Sequence, residues 1–320
     1  MLDLILKAIA YSSGIALMAA GITTIYMATG TFNFTHASLV AWGFYVVYTL
    51  HKMFGGSPYY YVPLAALFSG FLGVMIYVTV NRILLKKGAG MVTLMMSTLG
   101  VDLVLFSFLN IFADYLTRVY KFADARYFVM EVYDVVLFKI GEIAVRGIAF
   151  ISFAVVLVVT IALHLFLKKT KFGIAMRATI ENPALASMLG INPESVYVTA
   201  WFIGGALAGL GGGLISLAVV GYPAVGMYTI VTMFCGAIVG GLYSIYGSLL
   251  GGFLIGLSEY LGIYALAGAI GGGVLAYRPV IPLIVMAVTL LIYPTGLAGI
   301  RWSALYERWS GKSSSSKSKR

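Results

Sequence analysis

The chain has 320 residues, of which 61% are hydrophobic and only 10% are charged. Soluble domains carry about 25% charge, so a water-soluble fold is excluded and a multi-pass membrane protein is indicated. The net charge of +10 resides in loops flanking apolar runs, which points to lipid headgroups and loop orientation and not to nucleic acid. Cys235 is the single cysteine, so no internal disulfide forms and no metal site is suggested.

The apolar runs are about twenty residues long, the length of a membrane helix and not of the alternating strands of a barrel. The N-terminal MLDLILK lacks a small-residue cleavage site, so no signal peptide is expected. Residues 8–29 read as the first span. Thr31–His36 (TFNFTH) interrupts the run, and a second, shorter span is expected over 38–50. His51–Pro58 reads as a small loop and 59–80 as the third span. The segment 81–90 carries Arg82, Lys86 and Lys87 and no acid. A fourth span covers 91–112. In 114–146 five bases (Arg118, Lys121, Arg126, Lys139, Arg146) balance five acids (Asp114, Asp124, Glu131, Asp134, Glu142).

The fifth span, 147–167, and the sixth, 195–219, flank a long polar interruption. A short break at Gly221–Met227 precedes spans over 228–245 and 248–266. A glycine-rich connector, Gly268–Arg278, leads to the last span at 279–298, and a basic, serine-rich tail follows at 301–320. These elements predict an all-α polytopic membrane bundle of about nine helices (8–10), some short or discontinuous. One transmembrane domain fills residues 1–300. Lysine and arginine excess marks the cytoplasmic side. The 81–90 loop, the polar interruption and the tail are therefore expected inside. The neutral 114–146 segment and the N-terminus are expected outside.

The polar interruption, Lys168–Asn192 within 168–194, reads KKTKFGIAMRATIENPALASMLGIN. Lys171–Ile180 has a helical pattern. Asn182-Pro183 is an N-cap followed by proline at the first helical position, and Gly190 is placed to end that helix. Asn192-Pro193 repeats the signal and starts the next span. A structured helix at this point is either a surface connector or a docking element for a soluble partner.

Two helix breaks share glycine and polar or proline signals: Gly30–Thr35 (GTFNFT) and Gly221–Gly226 (GYPAVG). Paired interruptions in two halves mark transporters, because backbone freed inside a membrane must be buried in protein or line a water path. Asn33, Thr35, His36, Tyr222, Pro223 and Gly226 are candidate path residues; two ordinary loops are the plainer alternative. The mid-span acids Asp102 and Glu259 are candidates on the cost of a charge in lipid. They suit ion coupling, a substrate-facing role, or a satisfied acid inside the bundle. His164 reads as interfacial. Glycines at four-residue spacing (Gly205/Gly209/Gly213, Gly236/Gly240, Gly247/Gly251, Gly252/Gly256) predict close helix packing. Gly311-Lys312-Ser313 resembles the end of a phosphate-binding loop, but Tyr306 occupies the first glycine position and no strand precedes it. No catalytic or metal-ligand constellation emerges.

The stretches NPALASMLGIN, AWFIGGALAGLGGGLISL, GAIVGGLYSIYGSLLGGFLIGLSEYL and YPTGLAG resemble the inner-membrane permeases of branched-chain amino-acid ABC importers. The N-terminal IALMAAGITTIYMATGTFNFTHAS is similar to the LivH type, with Thr35 in place of an alanine in the Asn33-Phe34-Thr35-His36 turn. The resemblance runs from about Gly14 to Gly299 and is most specific over 182–256. It departs from the family pattern in 114–146 and in the Gly268–Arg278 connector.

The resemblance implies a permease subunit in a prokaryotic plasma membrane, with its C-terminus in the cytoplasm. It implies no enzyme activity and no cofactor of this chain's own. Two cytoplasmic ATPase subunits bind ATP-Mg, an extracytoplasmic binding protein delivers the substrate, and a second permease, LivM-like or another copy, completes the path. The helix in Arg177–Ile191 would be the coupling segment, with Arg177, Glu181, Asn182, Pro183, Leu185, Ala186, Leu189 and Gly190 meeting the ATPase. An ion-coupled secondary transporter using Asp102 and Glu259 is the alternative.

Overall fold

Hydrocarbon offers no partner to a backbone N–H or C=O, so each apolar run closes on itself as a helix. The computed structural model describes residues 2–140 and 143–299 and has seven helical segments long and apolar enough to cross a membrane. They are α1 (Leu2–Thr29), a composite span over Pro58–Lys86, α5 (Met91–Arg118), α6 (Ile148–Lys169), α9 (Pro193–Ile215), α11 (Ile245–Ile270) and the segment Val280–Gly299. The composite span joins α3 (Val62–Ile76) to α4 (Arg82–Lys86), and Val280–Gly299 contains α12 (Val280–Ile292). Two shorter helices, α2 (His36–Phe54) and α10 (Val225–Gly240), fill the bundle. Seven segments thus meet the length and hydropathy of a span where about nine are expected. Glu142 and the 301–320 tail lie outside the described residues.

The boundaries differ from the expected ones for identifiable reasons. His51–Phe54 is helix, not loop, because tertiary partners hold it: His51 is buried against Tyr133, with ring centroids 4.3 Å apart. The loop shrinks to Gly55–Ser57, with Gly55 at φ 70°. The start of the 81–90 loop is also helical. A π-turn at Tyr77–Asn81 feeds α4, and Arg82 pairs with Glu194 at 2.7 Å. The break before α10 opens earlier than expected, since α9 ends at Ile215. Ser244 caps α11 by accepting from the Gly247 N–H at 3.1 Å. That helix runs to Ile270 and absorbs the first part of the connector; the remainder forms a 3-10 turn, Gly272–Tyr277.

α1 lies at the centre, packed on α9 and α11. Small residues set that geometry. A side-chain carbon on Gly252 would lie 2.8 Å from Ala16 Cα, and one on Gly236 would lie 2.7 Å from Gly252 Cα. Backbones meet there with no side chain between them, as the four-residue glycine spacing predicts.

Residues 119–140 and 143–147 fold over one end of the bundle. β1 (Val136–Ile140) pairs antiparallel with β2 (Ile143–Arg146), a hairpin that the all-α expectation did not include. Charge pairs pin this cap. Lys7 meets Glu131 at 2.8 Å, Lys52 meets Asp124 at 2.9 Å, and Arg126 Nε donates to Asp114 at 2.7 Å. The balance of bases and acids over 114–146 is therefore partly a set of ion pairs that tie the cap to α1, α2 and α5. Burial pushes the Asp124 carboxyl up, but hydrogen bonds from Lys52 and Tyr48 outweigh it and hold the group below the usual carboxylate range. Burial dominates at Asp134 and raises it, against hydrogen bonds from Tyr59 and the Ile148 N–H.

Candidate functional site

The polar interruption is a built structure at the end of the bundle opposite the hairpin cap. Thr170 Oγ1 accepts from the Gly173 N–H at 2.9 Å and starts α7 (Lys171–Glu181). Asn182 Oδ1 accepts from the Leu185 N–H at 3.0 Å, and Pro183 opens α8 (Pro183–Met188). Gly190, at φ +82°, ends that turn, and the Ile191 N–H returns to the Ala186 carbonyl at 3.0 Å. Asn192 Oδ1 then accepts from the Glu194 N–H at 3.0 Å and launches α9. Three side-chain caps within one loop satisfy the terminal N–H groups that short helices otherwise leave to water.

The sequence-flagged residues of this loop divide by exposure. Ala186 is fully buried and anchors α8 to the bundle. Glu181, Asn182, Pro183, Leu185, Leu189 and Gly190 are exposed. Arg177 is exposed too, and lines a cavity of about 170 Å³ with Lys168, Met176 and Tyr246. Sequence reasoning passed over Met188, which is 83% exposed beside Leu185 and Leu189. The signal was its spacing, since residues three and four apart share a helix face. Three bare apolar side chains thus sit on a rigid, charged end of the molecule.

The two flagged helix breaks converge. A side-chain carbon on Gly226, at the start of α10, would fall onto the backbone of Ala37 at the start of α2. Phe34 and Phe32 pack on Phe234 of α10, with centroids 5.2 and 6.0 Å apart. Thr98 of α5 closes the first break: its hydroxyl accepts from the Phe34 N–H at 3.1 Å and donates to the Phe32 carbonyl at 3.3 Å. Asn33 Oδ1 accepts from the Thr35 N–H at 3.1 Å, and His36 Nε2 donates to the Met18 carbonyl at 2.9 Å. Asn33, Thr35 and His36 are fully buried, and Pro223 and Gly226 are buried as well. These side chains hold the irregular backbone in place within the chain. The second break is tied to the hairpin cap by paired backbone hydrogen bonds between Phe128 and Gly221, 3.0 and 2.9 Å.

The two intramembrane acids occupy separate settings. Asp102 Oδ1 accepts from the Ser38 N–H at 3.1 Å and from its hydroxyl, so it caps the first turn of α2. That is the satisfied-acid alternative. Glu259, 2% exposed, accepts from the Tyr11 hydroxyl at 3.1 and 3.2 Å and pairs with Arg278 Nε. Sequence reasoning found no base for Glu259 within its span, because the partner comes from the connector beyond it. Glu259, Arg278, Tyr11 and Tyr222 line a cavity of about 360 Å³ with Val219, Val225 and Leu275. Of the candidate path residues, Tyr222 and Glu259 border this cavity; Asn33, Thr35, His36, Asp102, Pro223 and Gly226 do not.

Comparison with known proteins agrees with this architecture. The profile of the family described as branched-chain amino acid transport system / permease component matches residues 4–292. A probable branched-chain amino acid transport permease protein LivH of Methanocaldococcus jannaschii is 41% identical over 93% of this chain and 92% of its own. The high-affinity branched-chain amino acid transport system permease protein BraD of Pseudomonas aeruginosa is 26% identical over 93% and 95%. The corresponding LivH of Salmonella typhimurium is 25% identical over 89% and 91%. No solved structure matches the chain. Full-length similarity of this kind, on a polytopic bundle, places the chain in the branched-chain amino acid transport system permease family.

Proposed function

We propose that this chain is the membrane-spanning subunit of an ATP-driven importer of branched-chain amino acids. The observation that carries the reading is the loop of α7 and α8. It is capped at each helix start, anchored by Ala186, and presents Leu185, Met188 and Leu189 bare at the base of the bundle. Rigid, exposed apolar groups on a polar end are the makings of a docking knob. Two cytoplasmic ATPase subunits receive this knob and bind ATP-Mg; the permease supplies no nucleotide site. Their closure on ATP pushes α8 and, through it, the ends of α6 and α9, so the path alternates in access.

The loop end carries Lys86, Lys87, Lys168, Lys169 and Lys171 and faces the cytoplasm. The hairpin cap and the N-terminus then face outward, where a binding protein delivers substrate. A second permease, of a related type or a second copy, completes the path. The ion-coupled alternative is weaker on two counts. Full-length relatives are named as permeases of transport systems, and Asp102 and Glu259 share no hydrogen-bond partner.

The test is reconstitution with the ATPases and binding protein. Leucine uptake is expected to require ATP and to be absent with this chain alone under a proton gradient. Replacing both Leu185 and Leu189 with Asp is expected to abolish co-purification of the ATPase while membrane insertion persists. Retained co-purification removes the knob assignment.

A further inference from the structure

The Glu259–Arg278 pair is an unusual thing to keep in a membrane helix bundle. An ion pair replaced by apolar residues of similar size is often no less stable, so stability alone is a weak reason for it. The pair also does not cover itself. Arg278 uses Nε on Glu259, and its Nη2 is buried without a partner. Glu259 Oε2 accepts only from the Tyr11 hydroxyl, at 3.2 Å, which leaves a carboxylate oxygen with spare capacity. The Arg278 guanidinium lies 4.4 Å from the Tyr11 ring centroid and 5.4 Å from that of Tyr260. Those rings hold its plane and leave the buried Nη2 without a hydrogen-bond partner. Both charges border the 360 Å³ cavity, whose remaining wall includes Val219, Val225 and Leu275. That volume lies within the roughly 300–1,000 Å³ typical of small-ligand sites.

We infer that this cavity is a zwitterion-reading site for a free α-amino acid, with Arg278 taking the α-carboxylate and Glu259 the α-ammonium. The inference rests on the proposed transport function and deepens it. A free branched-chain amino acid carries an ammonium and a carboxylate on the same carbon, beside a short apolar side chain. The cavity offers a fixed cation, a fixed anion and an apolar wall in that same arrangement. The Glu259–Arg278 bond need not break, because each partner uses a group the pair leaves free. The base arises from the glycine-rich connector, so the outer rim of the cavity and half of its charge reader are one short segment, Gly272–Arg278. Headgroups of ethanolamine phospholipids present similar paired charges, and the site's depth favours the free amino acid: Glu259 is 2% exposed and lies inside α11, eleven residues before its end.

The test is equilibrium binding of radiolabelled leucine to the assembled permease–ATPase complex in nanodiscs, without binding protein. Competitors are isocaproate, which lacks the ammonium, and leucinamide, which lacks the carboxylate. Wild type is expected to retain leucine and to prefer it to either analogue by about tenfold or more, the size of one charged hydrogen bond. Glu259→Gln is expected to lose the preference over isocaproate but keep that over leucinamide; Arg278→Gln is expected to do the reverse. A merely structural pair would weaken all three ligands alike. Absence of leucine retention at millimolar concentration overturns the proposal, as do variants that keep both preferences. It also falls if leucine binding disappears when phosphatidylethanolamine replaces phosphatidylcholine in the disc, since the headgroup is then the occupant. A complex that imports leucine with ATP but fails these tests refutes this site alone. One that reads charge but imports nothing refutes the transport reading instead.

Discussion

Asp102 shows how the neighbours of one side chain decide what it does. A carboxylate at the centre of a span is a functional suspect by cost. Here the Ser38 N–H and hydroxyl both point at Oδ1, so the acid acts as the missing N-cap of α2, supplied from α5. The helix starts inside the bundle, where no water reaches its first N–H groups. Replacing Asp102 with Ala orphans the Ser38 N–H, while the Ser38 hydroxyl keeps the backbone carbonyl of residue 102 at 3.2 Å, and is expected to destabilise the protein by about 1–3 kcal/mol. The readout is a lower apparent Tm of the purified protein in detergent, with Asp102→Asn closer to wild type. Equal melting of Ala and wild-type forms would remove the capping role. Glu259 is just as deeply buried, yet its partners are a base and a phenol at a cavity wall. Chain position alone does not separate these two acids.

For the elements, packing distance is what the glycines decide. α11 meets α1 where Gly252 faces Ala16 and Ala19, and no side chain fits between them. Gly252→Leu must push the helices apart and is expected to cost about 1–3 kcal/mol or more. Gly268, in the same helix, faces open space: a side-chain carbon placed there would meet nothing within 4 Å. Gly268→Leu is therefore expected to leave the apparent Tm unchanged or raise it. A similar loss from both substitutions would mean that close approach at Gly252 is not what sets the stability of α11. The caps of the α7–α8 loop, Asn182 and Asn192, were legible because an asparagine before a proline uses local chemistry. The extension of α2 through Lys52 was not, because Tyr133 and Asp124 hold it from roughly eighty residues away in the chain.

For the whole molecule, the hairpin cap binds distant spans into one end. Lys52 and Tyr48 from α2 converge on Asp124, with Tyr48 donating at 2.8 Å. Their hydrogen bonds hold the Asp124 carboxyl below its ordinary range in the folded protein. A depressed carboxylate contributes stability above its unfolded pKa, about 3.9, and loses it as pH falls through the lower folded value. Wild type is therefore expected to melt above Asp124→Asn at neutral pH, with the two curves converging as pH drops toward about 3. A gap that stays constant with pH would show that the clamp does not depend on the charge of Asp124. The same cap reaches Gly221 through Phe128, so the cap and the second helix break are directly linked.

Membrane class, most of the spans, the capped α7–α8 loop and the family could all be read along the linear chain. Each follows from hydropathy, local backbone chemistry or a linear motif, which adjacent residues suffice to express. Which polar groups meet was settled only by folding in three dimensions. Folding brought Ala37 to Gly226, set Ser38 under Asp102, and carried Arg278 back to Glu259 across nineteen positions. Buried polar groups choose partners by proximity in space, because an unpaired one in lipid costs more than a long chain excursion does.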